Sequence, residues 1–185
     1  MNDYYSEWER AVRKHGQWSS CRSRHELVRK YAFAIPTDEA VEKIASYGKL
    51  IEVGAGTGYW AKLISEAGGD ILAFDIAPPD KEHNEYQFKE TFFDVQSGEV
   101  GKIAKYKDRI LFLCWPPYDT RFGASCLDHY KGDLFIYVGE GYHGCCGDSE
   151  FWRLLEKDWE EDYDEMIRLP QWDGIHDYLT FYRRK

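Results

Sequence analysis

The nine residues Leu50–Gly58, LIEVGAGTG, restrict the possible folds of this chain more than any other segment. Leu50, Ile51 and Val53 read as a buried strand, and the strand runs straight into Gly54, Gly56 and Gly58. Glycine lets the backbone take positive φ and lets N–H groups approach a ligand with no Cβ between them, at the mouth of a helix N-terminus. A dinucleotide loop of the G-x-G-x-x-G kind needs its last glycine at position 59, where Tyr59 stands. The spacing is instead G-x-G-x-G, with the acid Glu52 just ahead of it.

The rest of the chain supports a strand–loop–helix reading. Five short runs are rich in β-branched and aromatic residues, several of them apolar at successive positions: LIEV (50–53), ILAFD (71–75), TFFDV (91–95), ILFLC (110–114) and LFIYV (134–138). Strands covered on both faces have this composition. Helical stretches at 60–67, 121–131 and 150–158 lie between or after them, the first with Trp60, Leu63, Ile64 and Ala67 on one stripe. The alternation predicts a parallel sheet with right-handed crossovers. Residues 164–169 and 176–183 are joined by PQWDGI, too short for a helical crossover, and so predict an antiparallel hairpin at the sheet edge. Ahead of Gly48 the chain reads as helical, with a last helix after Pro36 capped by Thr37. The expected organisation is one domain, with 1–48 a helical cap and 49–185 the core.

Composition removes several function classes. The 185 residues carry 24 Lys and Arg against 33 Asp and Glu, a net charge of −9. A body this acidic does not coat nucleic acid with its whole surface. The segment Arg10–Lys30 runs against the trend, with seven basic residues and one acid, and reads either as a solvated helix pair or as a basic lip. No apolar run approaches the ~18 residues of a membrane span, and the first residues hold no apolar signal core. Five cysteines without C-x-x-C spacing read as reduced thiols, so the expected location is cytoplasmic.

Acids recur at strand ends. Asp75 closes the second run, seventeen residues after Gly58, and Asp94 closes most of the third. E-x-G-x-G-x-G followed by an acid ending strand two resembles the class I S-adenosylmethionine-dependent methyltransferases, from Leu50 to the C-terminus. The closing hairpin fits that family and not the nicotinamide Rossmann domains. The resemblance implies a Rossmann-like α/β fold of seven strands in the order 3-2-1-4-5-7-6, with S-adenosylmethionine as cofactor. It places Glu52, Gly54, Ala55, Gly56 and Gly58 near the methionine portion, Asp75 at the ribose and Asp94 at the adenine. Tyr59, Trp60, Ile76, Val95 and Trp115 complete the expected cofactor-binding set, with Thr37 of the AIPT segment (34–37) closing over it.

Strand four ends in Cys114-Trp115-Pro116-Pro117-Tyr118. This resembles the [Asn/Asp/Ser]-Pro-Pro-[Tyr/Phe] signature of amino methyltransferases, but an indole only donates and cannot take the place of the signature's hydrogen-bond acceptor. What is left is an aromatic pocket, Trp115 and Tyr118, suited to a flat ring or a cationic acceptor. Strand five leads into a loop with glycines at 139, 141, 144 and 147. Glu140 and His143 are the leading general-base candidates there, with Asp119 behind them. Cys145 and Cys146 beside His143 lack zinc-site spacing, so no metal is expected. Trp172, Asp173 and His176 reach toward the same rim, although edge-strand packing accounts for them. The sequence thus points to a methyltransferase, monomeric or homodimeric, acting on a small aromatic or amine-bearing molecule. A nucleotide or RNA methyltransferase using the basic lip, and a non-catalytic cofactor-binding protein, stay open. A dehydrogenase is disfavoured by Tyr59 and the hairpin.

Overall fold

A computed structural model describes residues 2–15, 21–79, 84 and 86–185. Eight strands form one sheet: β1 (Lys49–Val53), β2 (Asp70–Asp75), β3 (Val95–Ser97), β4 (Ile110–Cys114), β5 (Leu134–Gly139), β6 (Trp159–Glu161), β7 (Ile167–Arg168) and β8 (Tyr178–Arg184). Their order is β3-β2-β1-β4-β5-β8-β6, with β7 also paired to β8. The first five are parallel, and β8 runs antiparallel to β5, β6 and β7. The helices are α1 (Asp3–His15), α2 (Cys21–Lys30), α3 (Asp38–Ala45), α4 (Tyr59–Glu66), α5 (Phe122–His129) and α6 (Ser149–Asp158).

Successive strand residues point to opposite faces, so the sheet feeds two cores. Ile51, Val53, Leu111, Leu113, Phe135 and Tyr137 join Ala124, Leu127, Phe151 and Leu155 of α5 and α6. Leu50, Ile71, Phe112, Ile136 and Phe181 join Val41, Ile44, Trp60 and Ile64 of α3 and α4. The central strands read as continuous apolar runs because both faces are covered. A third cluster of Tyr4, Leu27, Tyr31, Ile35, Tyr59 and Trp172 ties the N-terminal helices to α4 and to the turn before β8. Thr37 caps α3, its hydroxyl accepting the Ala40 N–H at 3.1 Å.

Two expectations are corrected. The third strand begins at Val95, not Thr91, because the preceding residues are held on the glycine loop. Phe92 N–H donates to the Thr57 carbonyl at 2.8 Å, and Phe93 and Val95 occupy the space beside Gly58. Asp94 therefore precedes its strand and is exposed, and the acid that follows the strand is Glu99. The hairpin's first arm is split, with β6 and β7 separated by a 3₁₀ turn at Tyr163–Glu165. Glu165 is drawn away to the α3 side, where Lys43 donates to it at 2.9 Å and the Tyr47 hydroxyl also donates. With β8 between β5 and this broken arm, the strand order is still the expected one.

Candidate functional site

β1 delivers the glycine loop to the carboxyl edge of the sheet, where ligands of open α/β sheets bind. Gly54, Gly56 and Gly58 take φ of +80°, +54° and +74°, all left-handed. Gly58 caps the N-terminus of α4. A Cβ on Gly54 would lie 2.9 Å from the Phe122 ring, and one on Gly56 2.8 Å from the Phe88 ring. The loop is closed by Asp75: its carboxylate accepts Gly56 N–H at 2.8 Å and Ala77 N–H at 2.9 Å. Gly54 and Ala55 N–H both donate to the Phe74 carbonyl.

Glu52 lies beneath this loop, 1% exposed, and its Oε2 has no hydrogen-bond partner among the described residues. Burial first, and then the charge of Asp75, push its carboxyl well above the ordinary range. A buried acid without a partner is costly unless a cation or donor arrives. Beside it is a small space of about 30 Å³ bounded by Tyr31, Ala32, Phe33, the glycine loop, Trp60, Phe88 and Cys114. A larger cleft of about 400 Å³ shares Phe33, Gly54, Phe88 and Cys114 with it. At one end this cleft is lined by Asp75, Ile76, Gly98, Glu99 and Val100, and at the other by Trp115, Pro117, Thr120 and Phe122. Ile76 stands 71% exposed at its edge. A roomier cavity, about 940 Å³, runs between α6 and β8 and touches none of the glycine-loop residues. The chemistry-bearing groups surround the smaller cleft.

Trp115 lies at the far wall with φ +52°, a left-handed conformation unusual for a bulky residue. Its N–H donates to the Val138 carbonyl at 2.8 Å, its ring stacks on Phe33 at 5.1 Å, and the Arg24 guanidinium lies 5.5 Å from its ring centroid. Its indole N–H donates to Asp177 Oδ1 at 2.8 Å. Glu140, buried, is occupied as a clasp: its carboxylate accepts Cys145 N–H at 2.8 Å and His176 N–H at 2.9 Å. His143 is exposed, its ring against Tyr142, and Asp119 is exposed as well. Tyr118 is 63% exposed, and only its neighbour Pro117 lines the cleft.

Of the residues expected from sequence, the fold gathers Glu52, Gly54, Ala55, Gly56, Trp60, Asp75, Ile76 and Trp115 around the two spaces. Thr37, Gly58, Asp94, Tyr59 and Val95 do not line them. Thr37 caps a helix, and Tyr59 and Val95 pack behind the glycine loop. The cap residues over the site are Tyr31, Ala32 and Phe33, just ahead of AIPT. Sequence reasoning missed Phe33, Tyr86, Phe88, Glu99, Phe122 and Asp177. Only Glu99 carried a signal, as the acid that follows strand three once its start is moved. In the basic segment, Arg13 pairs with Glu9 and Lys30 with Glu7, as in a solvated helix pair, while Arg24 reaches the cleft wall. Among the described residues no His, Cys, Asp and Glu group of three or more is placed to hold a metal. No described helix is long and apolar enough to cross a membrane.

No protein-family model and no curated protein sequence matches the chain. Solved structures do match it. One is 1,6-didemethyltoxoflavin-N1-methyltransferase from Burkholderia thailandensis, solved with 1,6-didemethyltoxoflavin and S-adenosylhomocysteine bound. It is 15% identical, with a TM-score of 0.50 over 97% of this chain and 90% of that one. Another is magnesium protoporphyrin IX methyltransferase from Synechocystis, solved with S-adenosylmethionine bound. It is 10% identical, with a TM-score of 0.50 over 94% and 96% of the two chains. Two further matches, one from Streptococcus mutans, are longer, and this chain spans 46% and 47% of them. The strand order, the antiparallel closing strands and the two likenesses at a TM-score of 0.50 show the fold: it is Rossmann-like, the fold that these S-adenosylmethionine-dependent methyltransferases share.

Proposed function

We propose that this chain is an S-adenosylmethionine-dependent methyltransferase whose acceptor is a small molecule bearing a flat ring or an amine. The observation that carries the reading is the buried, partnerless Glu52 oxygen beneath a loop whose three glycines all take left-handed φ. A cofactor with an ammonium group supplies the partner that this acid lacks, and the positive end of the α4 dipole favours its carboxylate. In this assignment Glu52 and Gly54 to Gly58 hold the amino-acid end, Asp75 the ribose hydroxyls, and Ile76, Glu99 and Val100 the adenine. Bound there, S-adenosylmethionine supplies an electrophilic methyl group on a sulfonium. The protein's own contribution is alignment and exclusion of water: Phe33, Phe88, Trp115 and Phe122 wall the cleft. Glu140 acts here as a loop clasp, its oxygens taken by the Cys145 and His176 N–H groups, so proton removal is not assigned to it. The reading includes a cytoplasmic monomer or homodimer.

Calorimetric titration with S-adenosylmethionine, S-adenosylhomocysteine and NAD tests the proposal. Micromolar binding of the first two and none of NAD is expected. Silence for all three leaves the glycine loop as a turn and moves the reading to a non-catalytic protein of this fold.

A further inference from the structure

The hairpin turn before β8 reaches back to the end of β4. Gly174 takes φ +73°, Ile175 N–H closes the turn on the Trp172 carbonyl at 3.0 Å, and Trp172 is buried with its indole 3.4 Å from the Tyr4 hydroxyl. This anchored turn inserts Asp177, 1% exposed, behind Trp115. Three costly features meet at this one place. Trp115 is left-handed, Asp177 Oδ2 is buried with no hydrogen-bond partner among the described residues, and a second buried acid, Glu140, lies near enough to oppose its charge. None of them is demanded by the sheet, whose β5–β8 ladder begins only at Tyr178. Costs of this kind persist where a site needs a group held in place.

We propose that Asp177 is the positioning residue of the cleft: by accepting the indole N–H it holds Trp115 in its left-handed conformation, ring toward Phe33, and so fixes a wall that the cofactor and a flat acceptor share. The proposal rests on the methyltransferase reading for its acceptor but not for its geometry. Asp177 touches neither the cleft nor a ligand; it acts through Trp115. The groups facing it are Trp115, Glu140 and the Arg24 guanidinium, with Tyr4, Cys114, Cys146 and Tyr137 near enough to feel its charge.

The test pairs the Trp115 indole N–H resonance, observed by ¹H–¹⁵N NMR, with S-adenosylhomocysteine affinity. In Asp177→Leu the resonance moves to the position of an unpaired indole and affinity falls about tenfold. In Asp177→Asn, which keeps an acceptor oxygen, the resonance stays near its wild-type position and affinity stays within about threefold. Trp115→Gly removes the wall and the backbone strain together, so adding Asp177→Leu to it changes affinity no further. An unmoved resonance in Asp177→Leu overturns the proposal, as do two single-variant effects that simply add. Should Asp177→Leu not fold, Asp177→Asn and the Trp115→Gly pair with Asp177→Asn carry the same comparison. Should the wild type not bind S-adenosylhomocysteine, the methyltransferase reading falls, while the indole resonance still decides the positioning role.

Discussion

Two buried acids lie beside the cleft without lining it, Glu52 under the glycine loop and Asp177 behind Trp115, and they differ in what surrounds them. Glu52 and Asp177 are each 1% exposed, and each keeps one carboxylate oxygen without a partner among the described residues. Glu52 borders an open space under the glycine loop, so its missing partner can come from a ligand. Asp177 lines neither the cleft nor the small space beside Glu52, and its other oxygen is committed to Trp115. The first acid therefore reads as a binding group and the second as a brace. The cost each imposes on the fold is the same in kind; the return on it differs.

The sharpest way to break this contrast is at the glycine loop. Gly56→Val places a branched side chain where a Cβ already meets the Phe88 ring at 2.8 Å, at φ +54°. It is expected to weaken S-adenosylhomocysteine binding about a hundredfold or more, read by calorimetry. Wild-type affinity in that variant would mean that no ligand approaches the loop backbone.

The next effect is on stability. Burial raises both acids, Asp177 from 3.8 to about 7 and Glu52 well above its ordinary value. A raised carboxyl favours the native state fully only below its unfolded pKa, and that contribution is lost as pH rises through the folded pKa. Asp177→Asn is accordingly expected to be more stable than wild type at pH 8, by roughly 2–4 kcal/mol, with the gap closing toward pH 4. Glu52→Gln shows the same sign in the ligand-free protein. Urea unfolding across that range checks both, and a gap that does not change with pH contradicts the burial argument.

Asp75→Ala separates ribose contact from loop closure. Two backbone N–H groups lose their acceptor, so a stability loss of about 1–3 kcal/mol is expected with about a tenfold loss of cofactor affinity. Stability loss with full affinity would leave Asp75 a loop staple only. The smallest effects belong to the exposed residues Tyr118 and His143. Tyr118→Ser and His143→Gln are expected to shift stability by less than about 0.5 kcal/mol and to leave S-adenosylhomocysteine binding unchanged. A loss of binding in either would draw the cleft wider than its lining residues do.

The two ends of the cleft explain what could be read from the chain. The cofactor end is nearly local in sequence: Glu52, Gly54, Gly56 and Gly58 lie within seven residues, and Asp75 is brought to them by one strand–helix–strand crossover. Each has a side chain, or lacks one, for a reason that spacing alone reveals. The acceptor end is assembled from Arg24, Phe33, Trp115, Glu140 and Asp177, which come from four distant segments. No periodicity relates an aspartate on a hairpin turn to a tryptophan sixty-two residues earlier. The Glu140 candidate shows a related limit. Glu140 is acidic, glycine-flanked and at a strand end, yet two backbone N–H groups take its oxygens. The shift of the third strand had a local cause instead: Phe92 and Phe93 have strand-like composition but spend it packing on Thr57 and Gly58.

The central claim is that Glu52 receives the ammonium of the cofactor's amino-acid end. It is tested most directly by titrating wild type and Glu52→Gln with S-adenosylhomocysteine and with 5′-methylthioadenosine, which lacks that end. The account predicts that the variant loses at least about thirtyfold in affinity for the first and less than about twofold for the second. Equal affinity of wild type and variant for S-adenosylhomocysteine would contradict it.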